Sequence, residues 1–405
     1  MTVTESKIKW AERQLGEFFR VKHGYAFKGE YFSSSGDYIV LTPGNFYDEG
    51  GFKKKANEKY YTGQVPSGFI LTHEDLIVAM TEQAEGLLGS AAIVPEDNLY
   101  LHNQRLGLIT NLDKTQLDKK FLYYLFNSQN VRGQIRASAN GVKVRHTSPD
   151  RIYQVKFRLP PLPTQRKIAG ILSAYDRLIE NNTRRIEILE EMARSIYCEW
   201  FVKFRFPGHE QVQMVDSELG LIPEDWEVKK LGEVIRFKNG KSIKVEEEGD
   251  YLVYGSNGII GRTNEARYQN AIIIGRVGAY CGSLIYSKSA FNASDNTIIA
   301  ESASEKFSLE LAFYVLEQMN LRHYAGGAAQ PLLTQTVIKE IPAIVPDIKT
   351  NKNFQIIIAN LINFKSNLTN KIQNLCQTRD LLLPRLISGE IDVENLDINT
   401  GEIAA

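Results

Sequence analysis

Residues 10–24, WAERQLGEFFRVKHG, and residues 226–240, WEVKKLGEVIRFKNG, are two copies of one sequence pattern. Seven of the fifteen positions are identical without a gap, where composition alone predicts about one match. The identical pairs share a constant offset of 216 residues and are Trp10/Trp226, Leu15/Leu231, Gly16/Gly232, Glu17/Glu233, Arg20/Arg236, Lys22/Lys238 and Gly24/Gly240. The chain therefore contains an internal duplication.

A second block of identities closes the duplicated segment at a different offset. Its members lie 186 residues apart and are Ile152/Ile338, Pro160/Pro346, Ile171/Ile357, Ile186/Ile372 and Leu189/Leu375. Because the offset falls from 216 to 186, the two copies share their edges and differ by 30 residues inside. We interpret this pattern as two modules that do one job on two different targets.

Two long helices are predicted, one after each module. The run LPPLPTQRKIAGILSAYDRLIENNTRRIEILEEMARSIYCEWF begins at Leu159, and its prolines precede an uninterrupted helical pattern that we expect to start near Thr164 as N-cap. Some forty residues at 1.5 Å each make a rod of roughly 60 Å, too long for a helix inside one compact domain. Such a rod needs a partner, and the second copy carries a matching apolar stripe from Phe354 to Leu382.

Apolar residues at spacings of three and four are the predicted helix-pairing residues. They are Ile168, Ile171, Leu178, Ile186, Leu189 and Ile196 in the first helix, and Phe354, Ile357, Leu361, Leu368, Ile372 and Leu375 in the second. Antiparallel pairing would give the molecule a pseudo-twofold axis. The alternative is that each helix packs only on its own module.

We therefore predict an α+β fold of two mixed α/β modules joined by two long antiparallel helices in a coiled coil, with a pseudo-twofold internal repeat. Residues 69–80 and 271–287 are predicted strands, and residues 118–136 and 308–324 one helix in each module. The predicted domains are a first module at 1–160, a spacer helix at 161–204, a linker at 205–222, a second module at 223–346, a second spacer helix at 347–392 and a tail at 393–405.

Composition limits the class of protein. Lys+Arg and Asp+Glu both number 48, so a nucleic-acid surface has to come from local clustering of charge. The start MTVTESKIKW lacks the apolar core of a secretory signal, and we expect a cytoplasmic protein. The cysteines Cys198, Cys281 and Cys376 lack the spacing of a disulfide framework or a zinc site.

Motifs of self-contained enzymes are broken or missing. Gly240-Lys-Ser resembles the end of a phosphate-binding loop, but Ile235 occupies the position where that loop needs glycine. Glycines 255, 258 and 261 have the wrong spacing for a dinucleotide fingerprint, and the Pro-Pro pair after Leu159 lacks the Asn or Asp of an amino-methyltransferase motif. The six histidines contain no HExxH spacing. We predict no reaction centre, metal or cofactor.

Local clusters of cations, amides and aromatic rings are typical of a surface that binds a polyanion. The candidate DNA-binding residues are Lys53, Lys54, Lys55, Lys143 and Arg145 in the first module, and Lys238, Asn239, Lys241, Arg262, Arg276 and Tyr280 in the second. Lysine and arginine would bind phosphates, whereas asparagine and arginine could also read base edges. The alternative for each residue is an ordinary solvated face.

Over nearly its whole length the chain resembles the specificity subunit of type I restriction-modification systems. The resemblance rests on the proline-led helix after Leu159, on VDSELGLIPEDWEVKKLGEVI from Val215, and on LLLPRLISGEIDVENL from Leu381. It implies two target-recognition domains joined by helices. One departure concerns the second helix, where Asn351 stands at the site aligned with Gln165.

The resemblance further implies a protein without catalysis or cofactor of its own, which binds a split double-stranded DNA target. Its implied partners are two methyltransferase (modification) subunits and restriction/translocase subunits, which would use S-adenosylmethionine and ATP. If the spacer helices set the gap between half-sites, one helical turn inserted after Arg194 should lengthen the unread spacer. The competing hypotheses are a self-contained DNA modification enzyme or nuclease, and a coiled-coil adaptor without a nucleic-acid role.

Overall fold

The chain divides into two compact units in the computed structural model, which describes residues 10–82, 86–141, 144–327 and 331–397. Unit 1 comprises residues 1–181 and 371–405, and unit 2 comprises residues 182–370. Both unit boundaries fall inside long helices, so each unit contains part of each helix.

Unit 1 contains twelve described strands and the first four helices. The strands are β1 (Ala11–Gln14), β2 (Arg20–His23), β3 (Phe32–Ser33), β4 (Tyr38–Val40), β5 (Tyr60–Tyr61), β6 (Leu76–Ala79), β7 (Thr81–Glu82), β8 (Ala91–Ile93), β9 (Tyr100–Leu101), β10 (Leu106–Thr110), β11 (Arg145–His146) and β12 (Lys156–Leu159). The helices are α1 (Lys119–Asn127), α2 (Gln129–Ala137), α3 (Pro149–Tyr153) and the start of α4 (Leu162–Tyr197).

Unit 2 repeats this content with different lengths. Its strands are β13 (Met214–Ser217), β14 (Gly220–Pro223), β15 (Glu227–Lys230), β16 (Ile235–Asn239), β17 (Tyr251–Gly255), β18 (Gly258–Thr263), β19 (Ala271–Gly275), β20 (Leu284–Ser287), β21 (Phe291–Ala293), β22 (Thr297–Ser302) and β23 (Pro342–Val345). Its helices are α5 (Leu231–Val234), α6 (Leu309–Gln318), α7 (Gln335–Glu340) and the start of α8 (Ile348–Ser388).

Each unit is built around one antiparallel four-stranded sheet, in the order β2-β10-β6-β8 in unit 1 and β16-β22-β19-β20 in unit 2. A second sheet contains one parallel pair, β4 with β9 and β17 with β21. The central strands β6 and β19 are buried along their whole length. Successive side chains alternate between two apolar clusters, one on each face: Ile272 and Ile274 pack in one, Ile273 in the other. This explains why such strands read as continuous apolar runs.

The repeated sequence pattern has the same structural role in both units. Leu15 and Leu231 are fully buried. The Glu17 carboxylate accepts a hydrogen bond from the backbone N–H of Gln14 at 2.7 Å, and Glu233 accepts one from Lys230 at 2.9 Å. The strands that open each copy, β1 and β15, pair antiparallel with the strands that close it, β12 and β23. Both sequence offsets therefore correspond to structural equivalence.

The long helices run antiparallel within each unit. In unit 1 the Asp176 carboxylate lies 2.8 Å from the Arg379 guanidinium, and the phenol of Tyr124 donates to the same carboxylate at 2.5 Å. In unit 2 Glu190 and Lys365 form an ion pair of 2.5 Å. As residue numbers rise along α4, those of its partners on α8 fall. The predicted antiparallel helix pair is confirmed.

The predicted helix-pairing residues differ in burial. Leu178 is 53% exposed, because ten residues at about 100° each turn it some 80° away from Ile168 around the helix axis. Asn182 is buried in the same helix. The buried members are Ile168, Leu189, Phe354 and Leu368, and the partly buried members are Ile171, Ile186, Ile196, Ile357, Leu361, Ile372 and Leu375.

Several predicted boundaries differ from the structure. The helix expected at 118–136 is two helices, because Ser128 has an extended backbone (φ −73°, ψ 145°) and caps α2. The helix expected at 308–324 ends at Gln318, and a 3-10 turn follows. Helix α4 begins at Leu162, two residues before the expected N-cap. Residues 205–222, expected as a linker without periodicity, contain most of the β13–β14 hairpin, which contributes Ile222 to the unit 2 core.

Candidate nucleic-acid interface

One edge of the main sheet in unit 1 gathers loops that are distant in the sequence. Strands β2 and β6 end at this edge and β10 begins there, because β10 is antiparallel to both. Strand β9 leads into β10, and β4 runs parallel to β9, so β4 also ends there. We call this edge the loop edge. It carries residues 24, 41–59, 80 and 102–105.

Unit 2 has the equivalent loop edge. Strands β16, β17 and β19 end there, and β21 leads into β22. The residues that follow are 240, 256–257, 276 and 294–296. Unit 1 thus carries a long insertion, residues 41–59, where unit 2 has only the two-residue turn 256–257. Much of the length difference between the modules lies in this loop.

The repeated glycines at the loop edge allow two backbone segments to touch. A Cβ on Gly24 would lie 2.0 Å from the carbonyl oxygen of Asn103, and a Cβ on Gly240 would lie 2.0 Å from that of Ser294. Real Cβ atoms do not come this close to a backbone oxygen, so only glycine fits at these positions without a backbone shift. The duplicated glycines therefore hold the β9–β10 and β21–β22 loops against the sheet.

Hydrogen bonds connect the loops of unit 2 to one another. The hydroxyl of Ser256 donates to the Asn296 carbonyl at 2.5 Å, and the backbone N–H of Arg276 donates to the same oxygen at 3.0 Å. The hydroxyl of Ser283 donates to the Ser256 carbonyl at 2.8 Å. The N–H of Leu333 donates to the Arg276 carbonyl at 2.9 Å. The loop edge is therefore a connected surface rather than separate loop tips.

Four of the six DNA-binding candidates in unit 2 meet at this surface. Asn239 and Lys241 flank Gly240 and are exposed, and the side-chain amide of Asn239 lies 2.8 Å from that of Gln335. Arg276 is half-buried, and its Nε–H finds no acceptor among the described residues. Tyr280 is 51% exposed, in the loop that follows. These residues combine cations, amides and an exposed ring.

The other two candidates of unit 2 lie elsewhere. Lys238 is on strand β16 and forms an ion pair with Glu301 at 2.7 Å. Arg262 is on β18, away from the turn of the β17–β18 hairpin, and donates to the Gly249 carbonyl at 2.9 Å. Both cations thus have partners inside their own module.

The lysine run of unit 1 lies on the insertion at the loop edge. Lys53 is exposed and lies 5.5 Å above the Tyr47 ring. Lys54 is exposed and comes within 3.9 Å of the Glu96 carboxylate. Lys55 is half-buried, donates to the Thr42 hydroxyl at 2.8 Å, and has a lowered pKa because of burial. Lys53 is therefore the most available cation of the three.

The remaining candidates of unit 1 lie at residues 143 and 145. Arg145 is exposed on β11. Strand β11 pairs with β7, and β7 begins at the residue after Met80 of the loop edge. The N–H of Thr147 donates to the Met80 carbonyl at 3.0 Å, as Leu333 does to Arg276 in unit 2. Arg145 therefore belongs to the loop edge. Lys143 lies outside the described residues.

Sequence reasoning missed four exposed residues at the tips of the β9–β10 and β21–β22 loops. They are Gln104 and Arg105 in unit 1, and Asp295 and Asn296 in unit 2. Their equivalence in the two units follows from the parallel strand pairs β4–β9 and β17–β21, each of which joins segments far apart in the chain. The only local signal was a short polar break between two apolar strands.

A buried histidine supports the tip in unit 1. The ring of His102 is buried and its Nε2 lies 2.9 Å from the Leu106 carbonyl, so a neutral ring donates there. No hydrogen-bond partner is found for its Nδ1 among the described residues. Burial lowers the pKa of His102 to about 4, because protonation would place an unpaired charge in the core.

The arrangement places hydrogen-bond donors and cations on one hydrogen-bonded surface. Among the described residues no three His, Cys, Asp or Glu side chains form a group that could hold a metal ion. In the same residues no helix is long and apolar enough to cross a membrane. Exposed cations and amides are groups of the kind that can contact phosphates and base edges.

The family model and the relatives that match this chain are all type I restriction specificity domains or subunits. A family model described as a type I restriction modification DNA specificity domain matches residues 7–191 and 223–377. The chain is 25% identical to the type I restriction enzyme MjaIX specificity subunit of Methanocaldococcus jannaschii over 323 residues, 72% of this chain and 73% of that protein. It is 31% identical to the type I restriction enzyme EcoprrI specificity subunit of Escherichia coli over 159 residues, 37% of this chain and 38% of that protein.

A solved structure shows the same fold. The crystal structure of the type I restriction-modification system S subunit from M. genitalium superposes with a TM-score of 0.62, at 19% identity. The match covers 96% of this chain and 98% of that one.

Proposed function

Because the chain belongs to the type I restriction modification DNA specificity family, we propose that it is the non-catalytic DNA-recognition subunit of a type I restriction-modification complex. It binds a bipartite double-stranded target, with one half-site for each module. It recruits modification and restriction subunits, which carry out the chemistry. Two equivalent loop edges with different side chains, in one chain of this family, are the observation that supports this proposal most strongly.

The loop edges fit this function because each combines two kinds of contact. Exposed cations such as Lys53 and Lys241 would bind phosphates and give salt-dependent affinity. Amides and guanidinium groups such as those of Asn239 and Arg145 can hydrogen-bond to base edges in the major groove. Different side chains at equivalent positions predict different half-sites.

Binding of random duplex DNA by the purified chain, alone and with its modification subunits, tests the proposal. We expect affinity that falls steeply with salt, and selection of one bipartite sequence from the pool. Methyl transfer by the chain alone, with S-adenosylmethionine and DNA, would favour a self-contained enzyme. Absence of salt-dependent binding in both forms would favour an adaptor without a nucleic-acid role.

A module exchange tests the assignment of one half-site to each module. Replacing residues 20–150 by the equivalent segment of a relative should change one half of the selected sequence. If both halves changed together, the two modules would not read independently.

One extra turn in each spacer helix should lengthen the unread gap between the half-sites. The added helix length is about 1.5 Å per residue, and each base pair of the gap spans about 3.4 Å.

A further inference from the structure

The β9–β10 loop of unit 1 and the β21–β22 loop of unit 2 each expose two adjacent residues between buried neighbours. Gln104 and Arg105 are exposed, whereas Asn103 and Leu106 are buried. We call each exposed pair a tip dipeptide. The second tip dipeptide, residues 295–296, likewise lies between buried Ser294 and Thr297.

Three hydrogen bonds fix the main chain of the unit 1 tip dipeptide. The N–H of Gln104 donates to the Tyr25 carbonyl at 3.0 Å. The N–H of Arg105 donates to the Asn103 side chain at 3.1 Å, and its carbonyl accepts from Met80 at 2.9 Å. Unit 2 repeats the last contact, since the Asn296 carbonyl accepts from Arg276 at 3.0 Å.

The side chains of the tip dipeptides, by contrast, are unused inside the protein. Within the described ranges, the side chains of Gln104, Arg105, Asp295 and Asn296 make no hydrogen bond, ion pair or ring contact. A fixed backbone with free polar side chains is pre-organised for a ligand, because little conformational freedom of the main chain remains to be lost on binding.

We propose that the two tip dipeptides are specificity-determining residues that hydrogen-bond to base edges, one dipeptide in each half-site. Their chemistry differs as the proposed function requires. Gln104 and Arg105 offer the groups that pair with adenine and guanine, respectively, whereas Asp295 can accept from cytosine and Asn296 can pair with adenine. This inference rests on the proposed function and adds which residues read the bases.

Base reading and phosphate binding by Arg105 have different consequences. If Arg105 reads a base, Arg105→Ala relaxes the preference at one position of one half-site by about 5- to 150-fold, and leaves the salt dependence unchanged. If it binds a phosphate, affinity falls for all sequences, and the slope of log affinity against log salt falls by about one. Arg105→Lys keeps the charge but loses the planar fork, so it should weaken the sequence preference and leave the salt dependence unchanged.

The experiment selects preferred sequences from randomised duplex DNA with the full-length chain and its variants, and measures affinity at several salt concentrations. The decisive variant is the double substitution Gln104→Asp with Arg105→Asn, which gives unit 1 the tip dipeptide of unit 2. We expect a changed preference in one half-site and an unchanged second half-site. Lys114→Ala is the matched control, because Lys114 is an exposed cation just beyond the opposite end of β10.

The outcomes distinguish failure of base reading by the tip dipeptides from failure of the proposed function. If the unchanged chain selects a bipartite sequence and the double variant selects the same one, the tip inference fails and the proposed function stands. A change in both half-sites, or a uniform loss of affinity with a smaller salt slope, also overturns the inference. If the unchanged chain selects no sequence either alone or with its modification subunits, both fail. Thermal unfolding of each variant shows whether the fold is retained, and Arg105→Lys provides the test if the double variant unfolds.

Discussion

Gln165 is the residue whose removal we expect to destabilise unit 1 most specifically. It is fully buried in the first turns of α4. Its side-chain oxygen accepts from the N–H of Asp118, the N-cap of α1, at 2.9 Å. Its amide nitrogen donates to the carbonyls of Gln116 at 2.8 Å and Pro160 at 2.9 Å. One side chain thus joins the module helix to the spacer helix.

The substitution Gln165→Ala removes the side-chain partner of one backbone donor and two backbone acceptors in a largely buried site. Each buried unpaired group costs about 1 to 3 kcal/mol, and partial access of water reduces the sum. We expect a loss of about 3 to 5 kcal/mol in the free energy of unfolding of unit 1. Gln154→Ala is the matched control, because Gln154 is exposed and its side chain makes no hydrogen bond to the residues that the structure describes. This substitution should cost less than about 0.5 kcal/mol.

Urea unfolding measures the loss, and hydrogen exchange locates it. Amide exchange should accelerate in α1 of the Gln165→Ala variant and stay unchanged in α6. The counterpart Asn351→Ala should show the reverse, since Asn351 accepts from the N–H of Ser308, the N-cap of α6, at 3.2 Å. A loss below about 1 kcal/mol, or faster exchange in both helices alike, would refute the reasoning.

Two further predictions concern the loop edge. The stability contributed by neutral His102 is complete above its unfolded pKa of 6.5 and is lost as the pH falls toward the folded pKa of about 4; urea unfolding should show about 2 kcal/mol less stability at pH 5 than at pH 7.5 from this group. His102→Gln should remove that difference and exposed His73→Gln should keep it; equal pH dependence in both variants would contradict the assignment. Gly24→Ala and Gly240→Ala should each lower the free energy of unfolding by about 2 kcal/mol or more, because their Cβ atoms would overlap a backbone oxygen. Gly29→Ala, with nothing within 4 Å of its Cβ, is the control in thermal unfolding, and similar losses in all three variants would disprove the close-contact argument.

The sequence predicted the duplication and the helix pair because both are encoded in regular spacing. Fixed offsets identify equivalent residues such as Leu15 and Leu231, and apolar periodicity identifies a long helix with a partner. The change from glutamine to asparagine at the start of the second spacer helix preserves the contact. Asn351 accepts a hydrogen bond from the N-cap of α6, as Gln165 accepts one from the N-cap of α1. Glutamine and asparagine can fill the same role here because both carry a side-chain amide.

The DNA-binding candidates could be predicted only in part, because the loop edge is assembled by strand order. Charge clustering selected Lys53 and Lys241, which lie on loop-edge segments, but also Lys238, which is paired with Glu301. A run of sequence does not show which cations are already neutralised by a partner across a strand. Nor does it show that Arg105 lies beside the end of β6, since that contact depends on non-local pairing.

If the tip dipeptides read bases as proposed, equivalent backbone contacts support the two loop edges and different side chains carry the recognition. At the loop edge, a Cβ on Gly24 or Gly240 would come equally close to equivalent backbone oxygens, those of Asn103 and Ser294. The carbonyls of Arg105 and Asn296 accept equivalent hydrogen bonds. The exposed side chains of the two tip dipeptides differ. A surface built in this way can change what it binds without changing how it is held, because substitutions at the tip dipeptides disturb neither the core nor a backbone hydrogen bond. On the proposed function, substitutions at the supporting glycines would impair reading of any sequence, whereas substitutions at the tip dipeptides would change which sequence is read.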